Sequence, residues 1–128
     1  MSTIHSTSNL QVVHLIDPHI LYCNWLGLQT EQSVKESGAV ILEIQRTHHF
    51  ANILNDNTQV TGSWRKASQW TAEQWFPDMV HAGLRHFAWV FPADVFAEIS
   101  AKRALPPGDI VTPFTNYQDA YNWLVSIH

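Results

Sequence analysis

Two adjacent histidines, His48 and His49, invite a chemical reading more than any other pair in this chain. Imidazoles titrate near neutrality and ligate metals. Neighbours in sequence point different ways on a helix or strand, however, so a two-ligand grip needs a third donor from elsewhere. No His-x-x-x-His or Cys/His spacing supplies one. The pair is expected at the end of a helix, solvated and near its C-terminal dipole. Cys23 with His14 and His19 is the second combination, a thiol beside two bases. All three fall in or beside one hairpin, where Cys23 shares a face with Leu21 and Trp25, and a buried, inert thiol is expected. Lys66 and Lys102 have no identifiable partner that would lower a pKa. The chain also lacks a phosphate-cradling glycine loop and a nucleophile elbow. No catalytic residue, metal ligand or cofactor is assigned, and the sequence reads as non-enzymatic.

Two other groups point to binding instead. Asn55, Asp56, Asn57 and Thr58 fall at the end of an expected parallel strand, the edge of an α/β sheet where ligands tend to bind. The same residues are ordinary turn and capping vocabulary, and a turn is expected there. Asp94, after the next strand, carries the same two readings: an N-cap, or part of one rim with the Asp56 group. Trp64, Arg65, Trp70, Trp75 and Phe76 crowd an irregular segment and its neighbour. Such rings form a subunit interface, an apolar groove or ordinary core, and the sequence leaves these readings open.

The elements that must carry these groups follow from pattern. Leu10 to Ile16 and His19 to Trp25 are β-compatible runs around Asp17-Pro18, a hairpin signal. Thr30 to Arg46 turns helical, with Val34, Gly38, Ile41, Leu42 and Gln45 on one face, although Gly38 weakens the helix by about 1 kcal/mol. Phe50 to Asn55 is a short strand stopped by Asp56-Asn57. Thr71 to Gln74 has capping-box spacing, so a helix is expected from Thr71 to Gly83, with Pro77 loosening its first turns. His86 to Phe91 is apolar on both faces, as a central strand requires. A helix over 93–103, an edge strand over 110–114 and a helix over 116–127 close the chain. The order ββαβαβαβα predicts one α/β domain over 10–128, with a mixed sheet of about five strands and about four helices. Residues 1–9, rich in Ser and Thr, are expected as a loose leader.

Composition narrows the partners. The 128 residues carry a formal net charge of −4 with only seven Lys and Arg, which argues against nucleic acid. No apolar run is long enough to span a bilayer. A single cysteine and a polar start fit a cytoplasmic setting. Only 14% of residues are charged while six are Trp, so some rings are expected outside a single small core.

Taken in order, several motifs resemble the small bacterial STAS-like proteins, related to the sporulation anti-sigma-factor antagonist (SpoIIAA-like). They are Trp25-x-Gly27, Ile53-Leu54-Asn55-Asp56-Asn57, Trp75-Phe76-Pro77 with Gly83, Phe87 to Pro92 with Asp94-Val95-Phe96, and Phe114-Thr115-Asn116 with Ala120 and Trp123-Leu124. The likeness runs from about Leu10 onward. It implies a regulatory, partner-binding module, in some relatives switched by phosphorylation at an Asp-Ser-Ser-Gly-like turn. Here that stretch is Asp56 to Ser63, where only the Asp matches and Thr58 is the nearest hydroxyl. The expected role is therefore a non-catalytic interaction module, self-associating as a homodimer or meeting a protein partner. A small binder of an apolar, lipid-like molecule is the alternative, and an enzyme of unknown class the third reading.

Overall fold

The apolar run around Phe87 lies inside the sheet, as its two-sided burial demands. The computed structural model describes residues 1–16 and 18–127. Six strands, β1 (Ser2–Ser6), β2 (Leu10–Leu15), β3 (Ile20–Leu28), β4 (Asn52–Thr61), β5 (His86–Val90) and β6 (Val111–Phe114), form one mixed sheet in sequence order. The pairs β1–β2 and β2–β3 are antiparallel, and β3 to β6 run parallel. Each parallel crossover adds the next strand on the same side. Right-handed crossovers must then stack their helices on one face.

That is the arrangement found. Helices α1 (Glu31–His48), α2 (Ser68–Trp70), α3 (Phe76–His81) and α4 (Val95–Arg103) lie between strands. Val34, Ile41, Phe76, Met79 and Ala97 pack in one core with Leu21, Cys23, Ile53, Phe87 and Trp89. The final helix, α5 (Tyr117–Ser126), follows the last strand and is free of that constraint. It covers the other face, where Ala120 and Leu124 meet Ile20, Leu54, Ala88 and Val90. Alternation along β5 sends Phe87 and Trp89 to one core and Ala88 and Val90 to the other.

Several local expectations hold. Thr30 caps α1 in a reciprocal box with Ser33, and the buried stripe is Val34, Ser37, Gly38, Ile41, Leu42 and Gln45. Asp94 and Asn116 cap α4 and α5 through the amides of Ala97 and Asp119, at 2.9 and 2.8 Å. Strand β6 lies at the sheet edge, where the missing donor of Pro113 is tolerated.

Others are corrected. Residues 1–9 are not a loose leader: Ser2–Ser6 pairs with β2, which gives six strands rather than five. Strand β4 does not stop at Asn55 but runs to Thr61. A bulge after Asp56 absorbs the Asx residues, and pairing with β3 resumes at Gln59. Thr71 is not a cap. The helical segment begins before it, and its hydroxyl donates to the Ala67 carbonyl at 2.9 Å. The expected Asp17-Pro18 turn falls partly outside the described residues, since Asp17 is not among them.

Candidate functional site

Between the sheet and α1 lies a cavity of about 30 Å³ walled by five of the six tryptophans. Trp25 reaches it from β3, Asn55 and Asn57 from β4, and Phe87 and Trp89 from β5. Val34 and Gly38 of α1 close it from above, with Trp70, Thr71 and Trp75, while Trp64 and Gln29 complete the wall. The register explains why these strand residues meet: Asn55 pairs with Cys23 on one side and Trp89 on the other. Trp25, Asn57 and Trp89 lie past the middle of their parallel strands, toward the edge where such sheets place their ligands, while Asn55 and Phe87 lie before it.

Trp70 and Trp75 would diverge by about 140° on a regular α-helix. They do not, because Thr71–Trp75 is a π turn in which the Phe76 amide donates to the Thr71 carbonyl. Pro77 has no amide to give the Glu73 carbonyl, so the ordinary ladder is already broken there. The wider turn brings both indoles onto the cavity, and π turns of this kind gather at functional sites. Gly38 admits them. A Cβ at this position would lie 3.1 Å from Trp70 Cη2 and 3.2 Å from Trp75 Nε1. The glycine that weakens α1 in sequence is thus the seat of two rings.

Polar groups around the cavity divide sharply. The Trp25 indole donates to Asn55 Oδ1 at 2.7 Å, and Asn55 Nδ2 donates to Asn57 Oδ1 at 3.3 Å. Trp75 Nε1 donates to the Gly38 carbonyl at 2.8 Å. Gln29 is engaged at both ends, with its amide nitrogen on the Leu26 carbonyl and its oxygen accepting from Ser33. Trp64 Nε1 and Trp89 Nε1 are buried and have no acceptor. Their rings stack at 6.3 Å between centroids, so two unpaired donors stand on neighbouring indoles. An unpaired buried donor costs about 1–3 kcal/mol. Ring faces and neutral hydrogen-bond groups make up this wall, and they suit holding a molecule.

The opposite face is built otherwise. Tyr22 donates to Asp56 Oδ2 at 2.7 Å, and the Thr58 amide donates to the other carboxyl oxygen at 2.9 Å. Burial, then the bond to Asp56, pushes the Tyr22 hydroxyl well above its ordinary pKa. Burial likewise raises Tyr117, whose ring meets Tyr22 edge-on at 5.3 Å. Asn24 Oδ1, beside Tyr22 on β3, is the one unpaired buried oxygen among the described residues.

The expected rim therefore splits. Asn55 and Asn57 reach the cavity, Asp56 faces away, Thr58 is an exposed strand residue, and Asp94 is a cap. Thr58 does not precede a helix, so the geometry of a phosphorylated helix N-terminus is missing there. Of the aromatic group, Trp64, Trp70 and Trp75 line the cavity. Phe76 is buried against Trp75, and Arg65 is exposed and outside it. With Trp64 and Trp75 each only 4% exposed, neither ring is offered to a second subunit. Trp25, Gln29, Phe87, Trp89 and Gly38 line the cavity beyond the expected site residues; period-two alternation through Trp25 and through Phe87 to Trp89 is the sequence signal that marks the strand residues among them.

The titratable candidates lie elsewhere. Cys23 is fully buried, and burial raises its thiol. His14 Nε2 lies 2.8 Å from His19 Nδ1, and both rings pack on Phe50. His49 takes a left-handed conformation ending α1, with Nδ1 at 2.8 Å from the Ala82 carbonyl. No group of three potential ligands suited to a metal occurs among the described residues. No described helix is long and apolar enough to cross a membrane. No family model matches the chain, and no curated protein or solved structure matches it.

Proposed function

We propose that this chain is a small-molecule binding module, with the tryptophan-lined cavity as its site. The observation that carries the reading is that two of the five indoles lining the cavity, Trp64 and Trp89, hold buried Nε1 donors with no acceptor. Buried polar groups are nearly always paired, and exceptions mark places where something else supplies the partner. Apolar pockets with a few convergent polar groups are the ordinary form of a ligand site. The reading sits within a STAS-like, cytoplasmic bacterial protein, for which the motif order remains the support. It needs no switch hydroxyl at Thr58.

Native mass spectrometry of gently purified protein, followed by a fragment screen read by amide and indole NMR, tests this. Fragments should shift the indole resonances of Trp64, Trp70 and Trp89 together. A screen in which every hit perturbs only surface residues overturns the proposal.

One observation favours a second reading, a self-associating interaction module. Val95 and Phe96 of α4 are 64% and 65% exposed, with Ile99 one turn on, forming an uncovered apolar strip. The homodimer would then use α4 rather than the Trp64 and Trp75 rings. Light scattering should show a dimer that Phe96→Ser dissociates; a monomer at every concentration removes this reading.

A further inference from the structure

We infer that the cavity takes a neutral, flat ring compound bearing a hydrogen-bond acceptor, admitted when Trp70 swings out of its slot beside Gly38. The inference rests on the cavity being a ligand site and adds the chemistry of the ligand and its route. Charge is decided by the wall, which holds no Lys, Arg, His, Asp or Glu. Burying an ion there without a partner costs far more than stacking returns. The nearby cation, Lys35, lies outside on the Trp70 ring at 6.0 Å and is already paired with Glu31 at 3.2 Å.

Polarity is decided by what is left unbonded. Two indole N–H donors lack acceptors, while the amide oxygens of Asn55, Asn57 and Gln29 all accept from neighbours. The site therefore asks for a carbonyl, ether or ring nitrogen. Aromatic walls also attract quaternary ammonium groups. The two outstanding N–H groups disfavour one here, because a cation offers them no lone pair.

Size decides the route. A volume of about 30 Å³ holds a water or two, not a ring. One wall must move. Trp70 is the only half-exposed indole of the five, the others being buried. It ends the three-residue α2 immediately before the π turn, where the helical hydrogen-bond pattern changes. Its Cη2 edge occupies the gap that Gly38 leaves open. Swinging it out vacates room for one bicyclic ring.

Four probes of similar shape separate these claims: 2-acetylnaphthalene, 2-isopropenylnaphthalene, 2-naphthoate and a naphthyl-trimethylammonium salt, titrated into the full chain by NMR. The acetyl compound should bind three- to tenfold tighter than its isopropenyl isostere, the range one net hydrogen bond supplies. It should also move the Trp64 or Trp89 Nε1–H resonance downfield. Trp64→Phe with Trp89→Phe should abolish that preference, so that the acetyl and isopropenyl probes bind alike whatever the smaller rings do to both affinities. If this pair does not fold, the wild-type preference and shifts decide. Trp70→Ala should speed association several-fold; an unchanged rate overturns the gate. Isopropenyl binding equal to or tighter than acetyl at the same indoles overturns the acceptor claim but leaves the ligand site standing. Preference for either charged probe overturns neutrality. If no probe moves these indoles, the ligand site falls together with the inference.

Discussion

The two faces of the sheet share strands but treat polar groups in opposite ways. On the α5 side, Asp56 is held by the Tyr22 hydroxyl and the Thr58 amide, and the buried group left over is an acceptor, Asn24 Oδ1. On the other side, Asn55, one residue earlier on β4, organises Trp25 and Asn57, yet Trp64 and Trp89 beside them stay unpaired. The α5 face leaves over one acceptor and the cavity face two donors, and it is the paired donors beside a cavity, rather than burial, that support the proposed site, because both faces are buried at these positions.

The largest expected effect tests only the shared frame. Phe87 touches Trp75, Phe76 and Trp89 and is 1% exposed, so Phe87→Ala should cost about 3–5 kcal/mol in urea unfolding. The next pair breaks the comparison if it fails. Tyr22→Phe and Trp25→Phe each remove the donor from a buried acceptor and should cost about 1–3 kcal/mol. Trp89→Phe, which removes a donor that has no partner, should cost clearly less than Trp25→Phe. Equal losses would mean that the two networks do not differ.

Gly38→Ala sharpens the cavity side. Alanine favours the helix by about 1 kcal/mol, but its methyl must push Trp70 aside. Near-neutral stability with greater acrylamide quenching of Trp70 is expected.

The smallest effects are in pH. Tyr22 stays neutral in the fold while the unfolded chain ionises near the ordinary tyrosine value of 10.0, so stability should fall above that pH, and less in Tyr22→Phe. His14 is held below its ordinary 6.5, first by burial and then by His19 and His48. The unfolded chain therefore takes up the proton first as pH falls, and stability should drop slightly below pH 6.5. His14→Gln should flatten that slope.

Much of the architecture is legible in residue order. Phe87 to Val90, apolar at every position, cannot be an edge, and the Asn116 cap with Ala120 and Leu124 marks α5. Long-range pairing is less legible. Asn-Asp-Asn signals a turn locally, and only the bond to Tyr22 and the bulge against β3 let the strand continue. Thr71 has the spacing of a cap, but the helical turn before it removes the vacancy a cap would fill. Half of the site was visible as a cluster of Trp64, Trp70 and Trp75. Period-two alternation marks Trp25 and Trp89 as core-facing, but only strand register brings them to the same cavity.

The most direct measurement is a crystal structure of the protein soaked with 2-acetylnaphthalene. The account predicts the ring in the slot beside Gly38, Trp70 displaced, and the carbonyl oxygen within hydrogen-bond distance of Trp64 or Trp89 Nε1. Density for the probe elsewhere, with Trp70 in place and both indole nitrogens unchanged, would contradict it.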